Sequence, residues 1–258
     1  CPNDTFMFDA MIHHKIDTEG LKFDVVMTDI QKLNMMALEG KLNVTKLSFN
    51  AFTYCIDDYL ILDSGAALGK NCGPILIKKS DTVLSENSKI AIPGKFTTAN
   101  MLLDIALPKF KNKEEILFSN IEDDILKNKV DGGVIIHENR FTYQDKGLMK
   151  VIDLGEFWQK ETKLPIPLGG IVVKRNVSSR IQKKIERVIS RSVEYALKNP
   201  DCSSSYVKYH AQEMDKLVIK SHINLYVNKY SISLGADGRD AVMEIFNRKK
   251  RDYDSIFV

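Results

Sequence analysis

Val134-Ile135-Ile136 followed at once by His137 is the stretch of this chain best suited to chemistry. The apolar β-branched run has the pattern of a buried strand. Asp131-Gly132-Gly133 before it is turn chemistry. His137 therefore stands where the strand stops, ahead of the polar Glu138-Asn139-Arg140. In open α/β sheets, ligands bind outside the carboxyl ends of the strands. An imidazole there, with an ordinary pKa of about 6.5, exchanges protons near neutral pH. His137 is the candidate proton-transfer group. The competing reading is a structural histidine bonded into a loop.

Other residues suit anion binding. Thr97-Thr98-Ala99 opens a helix that runs through Leu107, and the amides of a helix start receive a carboxylate readily. Simple capping by Thr97 is the plainer alternative. Ser48, ahead of a helix from Phe49 to Cys55, and Asn3-Asp4, ahead of a helix from Thr5 to His14, are two more such starts. The small-residue loop from Ser64 to Pro74 lets backbone come close to something. It lacks the GxxxxGK[ST] spacing of a phosphate-binding loop, and an ordinary surface loop explains it equally well. Cys55, Cys72 and Cys202 are scattered singly, with no CxxC and no histidine at ligand spacing, so no metal is expected. Neither count nor spacing requires disulfides, and reduced cytoplasmic thiols are the expectation.

These residues need a scaffold. The chain has 258 residues, 44% hydrophobic and 28% charged, the balance of a soluble globular protein. A net charge of +3 gives no sign of nucleic-acid binding, and Arg248 to Arg251 reads as a solvated helix end. No apolar run approaches the ~20 residues that span a bilayer. What precedes Cys1 is left open, since the chain does not begin with Met. Strands are predicted at Phe23–Met27, Val44–Leu47, Tyr59–Leu62, Ile75–Lys78, Ile90–Ile92, Glu115–Phe118, Met149–Asp153 and within Pro165–Lys174. Helices alternate with them, which argues for largely parallel sheets with crossover helices. Trp158, on a short helix from Gly155 to Glu161, reads as packing. From Ser179 onward the chain is helical, with Ile181, Ile185, Val188, Ile189, Val193 and Leu197 on a core face.

The strand-less helical end must cover the first sheet. That gives two lobes: residues 1–86 with 169–258, and residues 87–168. A cleft between them is the default site for a small anionic molecule.

Seven segments then match a known family in order: CPNDTFMFDAMIHHKI, ALEGKLNVTKLSF, SGAALGKNCGPILI, PGKFTTANMLL, GGVIIHENRFTYQDKGL, VIDLGEFW and LPIPLGG. With YVNKYSISLG near the end, the chain resembles the 1,4-dihydroxy-6-naphthoate synthases of the futalosine route to bacterial menaquinone over essentially its whole length. The resemblance implies an α/β, two-lobed, type II periplasmic-binding-protein-like fold, with mixed, mostly parallel sheets and flanking helices. It implies a lyase that converts cyclic dehypoxanthinyl futalosine, releasing a three-carbon fragment of the former ribose without a cofactor. The base of that family falls on His137, and its substrate contacts fall on Lys46, Leu47, Ser48, Thr97, Thr98 and Ala99. Members begin with a short strand before the CPND stretch, which this sequence does not include, and Asn71-Cys72-Gly73 is bulkier than their usual loop.

Two other functions share such a fold. A transporter's solute-binding protein is one, and a mature lipoprotein begins at cysteine as this chain does. Pro2 directly after the cysteine argues against it. The chorismate dehydratase of the same pathway is the other, and IIHENRF argues for the synthase instead.

Overall fold

The computed structural model describes residues 2–211, 215–251 and 254–258, so Cys1 lies outside the described residues. The chain divides into two units, Cys1–Gly69 with Pro167–Val258, and Lys70–Ile166. The first contributes α1 (Pro2–Ile12), α2 (Ile30–Leu38), β1 (Val44–Ser48), α3 (Phe49–Phe52), β2 (Tyr59–Ile61) and β3 (Ala67–Gly69). The second holds β4 (Ile75–Lys79), β5 (Ile90–Ile92), α4 (Thr98–Ala106), β6 (Lys113–Glu115), α5 (Ile121–Leu126), β7 (Gly132–Ile135), α6 (Asn139–Thr142), β8 (Leu148–Asp153) and α7 (Leu154–Thr162). The chain returns through β9 (Ile166–Lys174) and ends in α8 (Ser179–Lys198), α9 (Ser204–His210), α10 (Lys216–Tyr226), α11 (Lys229–Ile232) and α12 (Gly235–Lys249).

β9 organises the first unit. It pairs antiparallel with β1, in the register Val44↔Val173 to Ser48↔Gly169, and with β2. A Cβ at Gly170 would fall 2.7 Å from the Phe49 ring, so the glycine makes room for the start of α3. The expected apolar face of α8 packs on α1: Ile185, Val188, Ile189 and Val193 meet Phe6, Met7 and Met11. Ile181 sits at the margin of this core. Leu197 is 40% exposed, because Ala196 takes the inward position at the end of the stripe.

The second unit is a five-stranded sheet in the order β6-β5-β7-β4-β8. β5 runs parallel to β6 and β7, while β4 is antiparallel to β7 and β8. Ile75, Ile77, Ala91, Ile121, Ile125 and Ile135 form its core. Trp158, on α7, is buried, and its indole N–H donates to the Pro165 carbonyl at 3.0 Å, the packing role expected of it.

Four expectations change. Both sheets contain antiparallel pairs, and only β5 is flanked by parallel neighbours among the pairings above; β4 and β9, which carry the chain into and out of the second unit, run against their partners. The first division falls at Gly69/Lys70 rather than near residue 86, because β4 pairs with β7 and β8. Phe23–Met27 forms no strand: Phe23 packs against the first unit's core while Val25, Val26 and Met27 are exposed. Asn3 and Asp4 do not precede the first helix; α1 already begins at Pro2, and both lie in its first turn.

Candidate active site

The carboxyl edge of the second unit's sheet collects the residues expected to do chemistry. Register pairs Ile90 with Gly132 and Ala91 with Gly133 in parallel, so β5 and β7 end on the same side. Thr97 and Thr98 follow β5 there, and His137 follows β7. β6 is also parallel to β5, which sends Phe118 out at this edge. Ile75 pairs with Ile135 and with Asp153, so the start of β4 and the end of β8 meet here as well. Alternating strand direction brings residues distant in sequence to one rim.

His137 adopts a left-handed backbone conformation, with φ of +58°. For a residue with a Cβ this costs about 1–2 kcal/mol and persists only where the surroundings impose it. Its ring meets Phe118 edge-on, with centroids 4.9 Å apart and planes at 70°. The short α6 follows directly. Arg140, on that helix, donates to the Gly73 carbonyl and to Asp153 Oδ2, both at 2.6 Å. Asp153 is buried, and its other oxygen accepts the N–H groups of Gly155 and Glu156 at the start of α7. Gly73 and Gly155 touch through their backbones: a Cβ on Gly73 would lie 2.3 Å from Gly155 Cα. Gly73 of the small-residue loop thus serves this close approach.

Thr97 caps α4. Its hydroxyl oxygen accepts from the Asn100 N–H at 3.2 Å, and its O–H donates to the Gly94 carbonyl at 2.7 Å. The capping alternative therefore describes the Thr97 side chain. Thr98 and Ala99 occupy the first turn and are buried, where the positive end of the helix dipole favours an anion.

In the first unit, Lys46 and Ser48 project to one face of β1, and Leu47 points to the other. Leu47 is fully buried, so its side chain is core. Lys46 is ion-paired with Asp4. Asn3 donates to Asp4 at 3.2 Å through its Nδ2, which leaves its Oδ1 to accept from His222 Nε2 at 3.1 Å. His222 is fully buried on α10, with its ring centroid 4.5 Å from that of Tyr226. The structure therefore gathers Asn3, Asp4 and Lys46 and adds His222, which sequence reasoning passed over. The spacing of His222 and Tyr226, one helical turn apart, is the signal that would have found it. Ser48 is held by Asn34: its N–H donates to Asn34 Oδ1 at 2.9 Å, and Asn34 Nδ2 donates to its Oγ at 3.1 Å.

Two thiols are unsuited to nucleophilic chemistry. Burial pushes Cys55 and Cys72 up to about 12, so both stay protonated at neutral pH.

A model of a menaquinone biosynthesis family matches residues 1–251. A Thermus thermophilus protein named 1,4-dihydroxy-6-naphthoate synthase is 38% identical over 95% of this chain and 90% of its own length. A Streptomyces coelicolor protein of the same name is 38% identical over 96% of this chain and 89% of its own. A crystal structure of a protein from Archaeoglobus fulgidus superposes with a TM-score of 0.90 at 35% identity, covering 96% of this chain and 94% of that one. At 13% identity, a Candida albicans gene product described as having the generic periplasmic binding protein fold superposes with a TM-score of 0.69, covering 99% of this chain and 90% of its own. That last likeness speaks for the fold alone. Matched along nearly its full length by the family model and by two relatives of one name, the chain belongs to the menaquinone biosynthesis family.

Proposed function

We propose that this protein is a carbon–carbon lyase that converts cyclic dehypoxanthinyl futalosine to 1,4-dihydroxy-6-naphthoate, with His137 as general base. The observation that carries the reading is the 38% identity to two synthases over 95% and 96% of the chain. It favours the synthase over a solute-binding protein and over the chorismate dehydratase, the other two functions considered.

In this reading the neutral imidazole of His137 removes a proton from the carbocycle of the substrate. The electron pair released at that carbon forms the new ring double bond as the bond to the sugar-derived three-carbon fragment breaks, and the fragment leaves with that bond's electrons and takes up a proton. Aromatisation of the new ring supplies the driving force. Thr98 and Ala99 receive the substrate carboxylate at the start of α4, and Thr97 keeps that turn in shape, a positioning role. Asn3, Asp4, Lys46, Leu47 and Ser48 are further substrate-binding residues in this reading, Leu47 through its backbone. Among the described residues no helix is long and apolar enough to cross a membrane. We assign the reaction, separately, to the cytoplasm, and no cofactor, metal or nucleic acid takes part.

The test is turnover by the purified protein and by His137→Asn, followed by mass spectrometry. Asparagine tolerates positive φ better than most residues, so the loop keeps its shape while the base is lost. Wild type is expected to form dihydroxynaphthoate, and the variant to bind substrate without turning it over. Near wild-type turnover by His137→Asn would overturn the base assignment. Tight binding with no product from either protein would favour the solute-binding reading.

A further inference from the structure

The His137 loop is tied to the rest of the second unit through a side chain that closely follows the histidine. His137 holds a left-handed backbone that a side chain disfavours. The helix that follows has four residues, too few to be stable alone, and no side-chain cap at its start. Its backbone ties are local: Arg140 N–H reaches the His137 carbonyl at 3.4 Å, Phe141 N–H the Glu138 carbonyl at 2.9 Å, and Tyr143 N–H the Asn139 carbonyl at 3.1 Å. The Arg140 side chain adds a charge-assisted tie that reaches beyond the loop. Its guanidinium spans two acceptors, the Gly73 carbonyl and Asp153 Oδ2, each at 2.6 Å. Asp153 is only 1% exposed and Arg140 15%, so water competes weakly. The carboxylate is already oriented by two N–H groups of α7, and Gly73 is wedged against Gly155. A planar guanidinium between fixed acceptors sets direction as well as distance.

We propose that Arg140, anchored on Asp153 and the Gly73 carbonyl, is the positioning residue that holds His137 in register for proton transfer. The proposal rests on the reading of His137 as the base. Arg140 is three residues from His137 in sequence, on the helix that begins two residues after it, and on this proposal a displaced guanidinium displaces the imidazole through that short segment. Phe118 braces the ring edge-on. A base displaced by about 1 Å loses on the order of 10²-fold in rate.

A second ion pair in the same loop provides the comparison. Lys146 donates to Glu122 at 2.6 Å, and Glu122 is fully buried. This pair ties the far end of the loop to α5 and lies nine residues beyond His137 in sequence. If Arg140 were merely structural, loss of either pair would lower stability and leave the turnover of the folded enzyme alike.

The experiment measures kcat and KM for Arg140→Met, Arg140→Lys, Asp153→Asn and Lys146→Met at a temperature where circular dichroism shows each folded. Arg140→Met is expected to lose about 10²-fold in kcat with KM within roughly threefold of wild type. Arg140→Lys keeps the charge without the fork and is expected to recover part of that loss. Asp153→Asn should follow Arg140→Met, and the double variant should be no worse than either. Lys146→Met is expected to melt earlier with kcat unchanged. Should Arg140→Met not fold, Arg140→Lys and Asp153→Asn carry the test. Wild-type kcat in folded Arg140 variants, or an equal kcat loss in Lys146→Met, would overturn the proposal while leaving His137→Asn inactive. An active His137→Asn would instead overturn the base assignment, whatever Arg140 does.

Discussion

Asn34 offers a quantitative test of how the first unit holds Ser48. Its side chain is fully buried on α2 and satisfies both polar groups of Ser48, at 2.9 and 3.1 Å. In Asn34→Ala the Ser48 N–H remains buried without its acceptor, at about 1–3 kcal/mol, and a second bond worth about 0.5–1.5 kcal/mol is lost. The expected destabilisation is about 2–4 kcal/mol. At about 2–4 °C per kcal/mol for a chain of this size class, Tm falls by roughly 5–15 °C. Asn34→Asp separates the two effects. It keeps an acceptor for the Ser48 N–H but places a carboxyl where no water reaches. Burial raises the pKa of such a group above its unfolded value of about 3.9. Its deficit relative to wild type is therefore small below that pH and grows as pH rises through the unfolded pKa, since the folded state resists ionisation. The assay is urea denaturation of wild type and both variants from pH 3.5 to 7, with KM measured at neutral pH. On our reading, KM rises for Asn34→Ala because Ser48 loses its anchor. A loss below 1 kcal/mol for Asn34→Ala, or a pH-independent deficit for Asn34→Asp, would refute the reasoning.

Two more outcomes follow from the geometry. In Gly73→Ala the new Cβ would meet both the N and the Cα of Gly155 at 2.3 Å, backbone that no rotamer change can clear. A stability loss at the upper end of the 1–3 kcal/mol typical of overpacking is expected by chemical denaturation, and wild-type stability would show that this contact yields freely. Hydrogen bonds from Arg187 and then Arg191 hold the Glu19 carboxyl down at about 2. A depressed carboxyl pKa stabilises above the unfolded value of 4.5 and loses that stabilisation as pH falls towards 2. The gap in urea midpoint between wild type and Glu19→Gln should therefore be constant from pH 5 to 7 and shrink at pH 3; an equal gap at pH 3 and 6 would contradict it.

Much of this protein is written in local sequence. Val134-Ile135-Ile136 and its flanking glycines announce a buried strand with His137 at its end, because alternation, branching and turn residues are properties of neighbours in the chain. Thr97 announces a cap for the same reason, and the α8 stripe needs only helical spacing to place Ile185, Val188, Ile189 and Val193 inside. The family too was legible, because seven ordered segments are a statement about sequence alone. What local patterns do not carry is strand direction and partnership. The antiparallel setting of β4, the division at Gly69 and the unpaired Phe23–Met27 segment depend on which strands lie alongside, a long-range choice. The partners of the candidate residues belong to the same class. Arg140 meets Gly73 across 67 residues, and His222 meets Asn3 across 219. No spacing rule reaches that far: the fold brings such groups together because a buried polar group must find a partner, and only the tertiary structure decides which one.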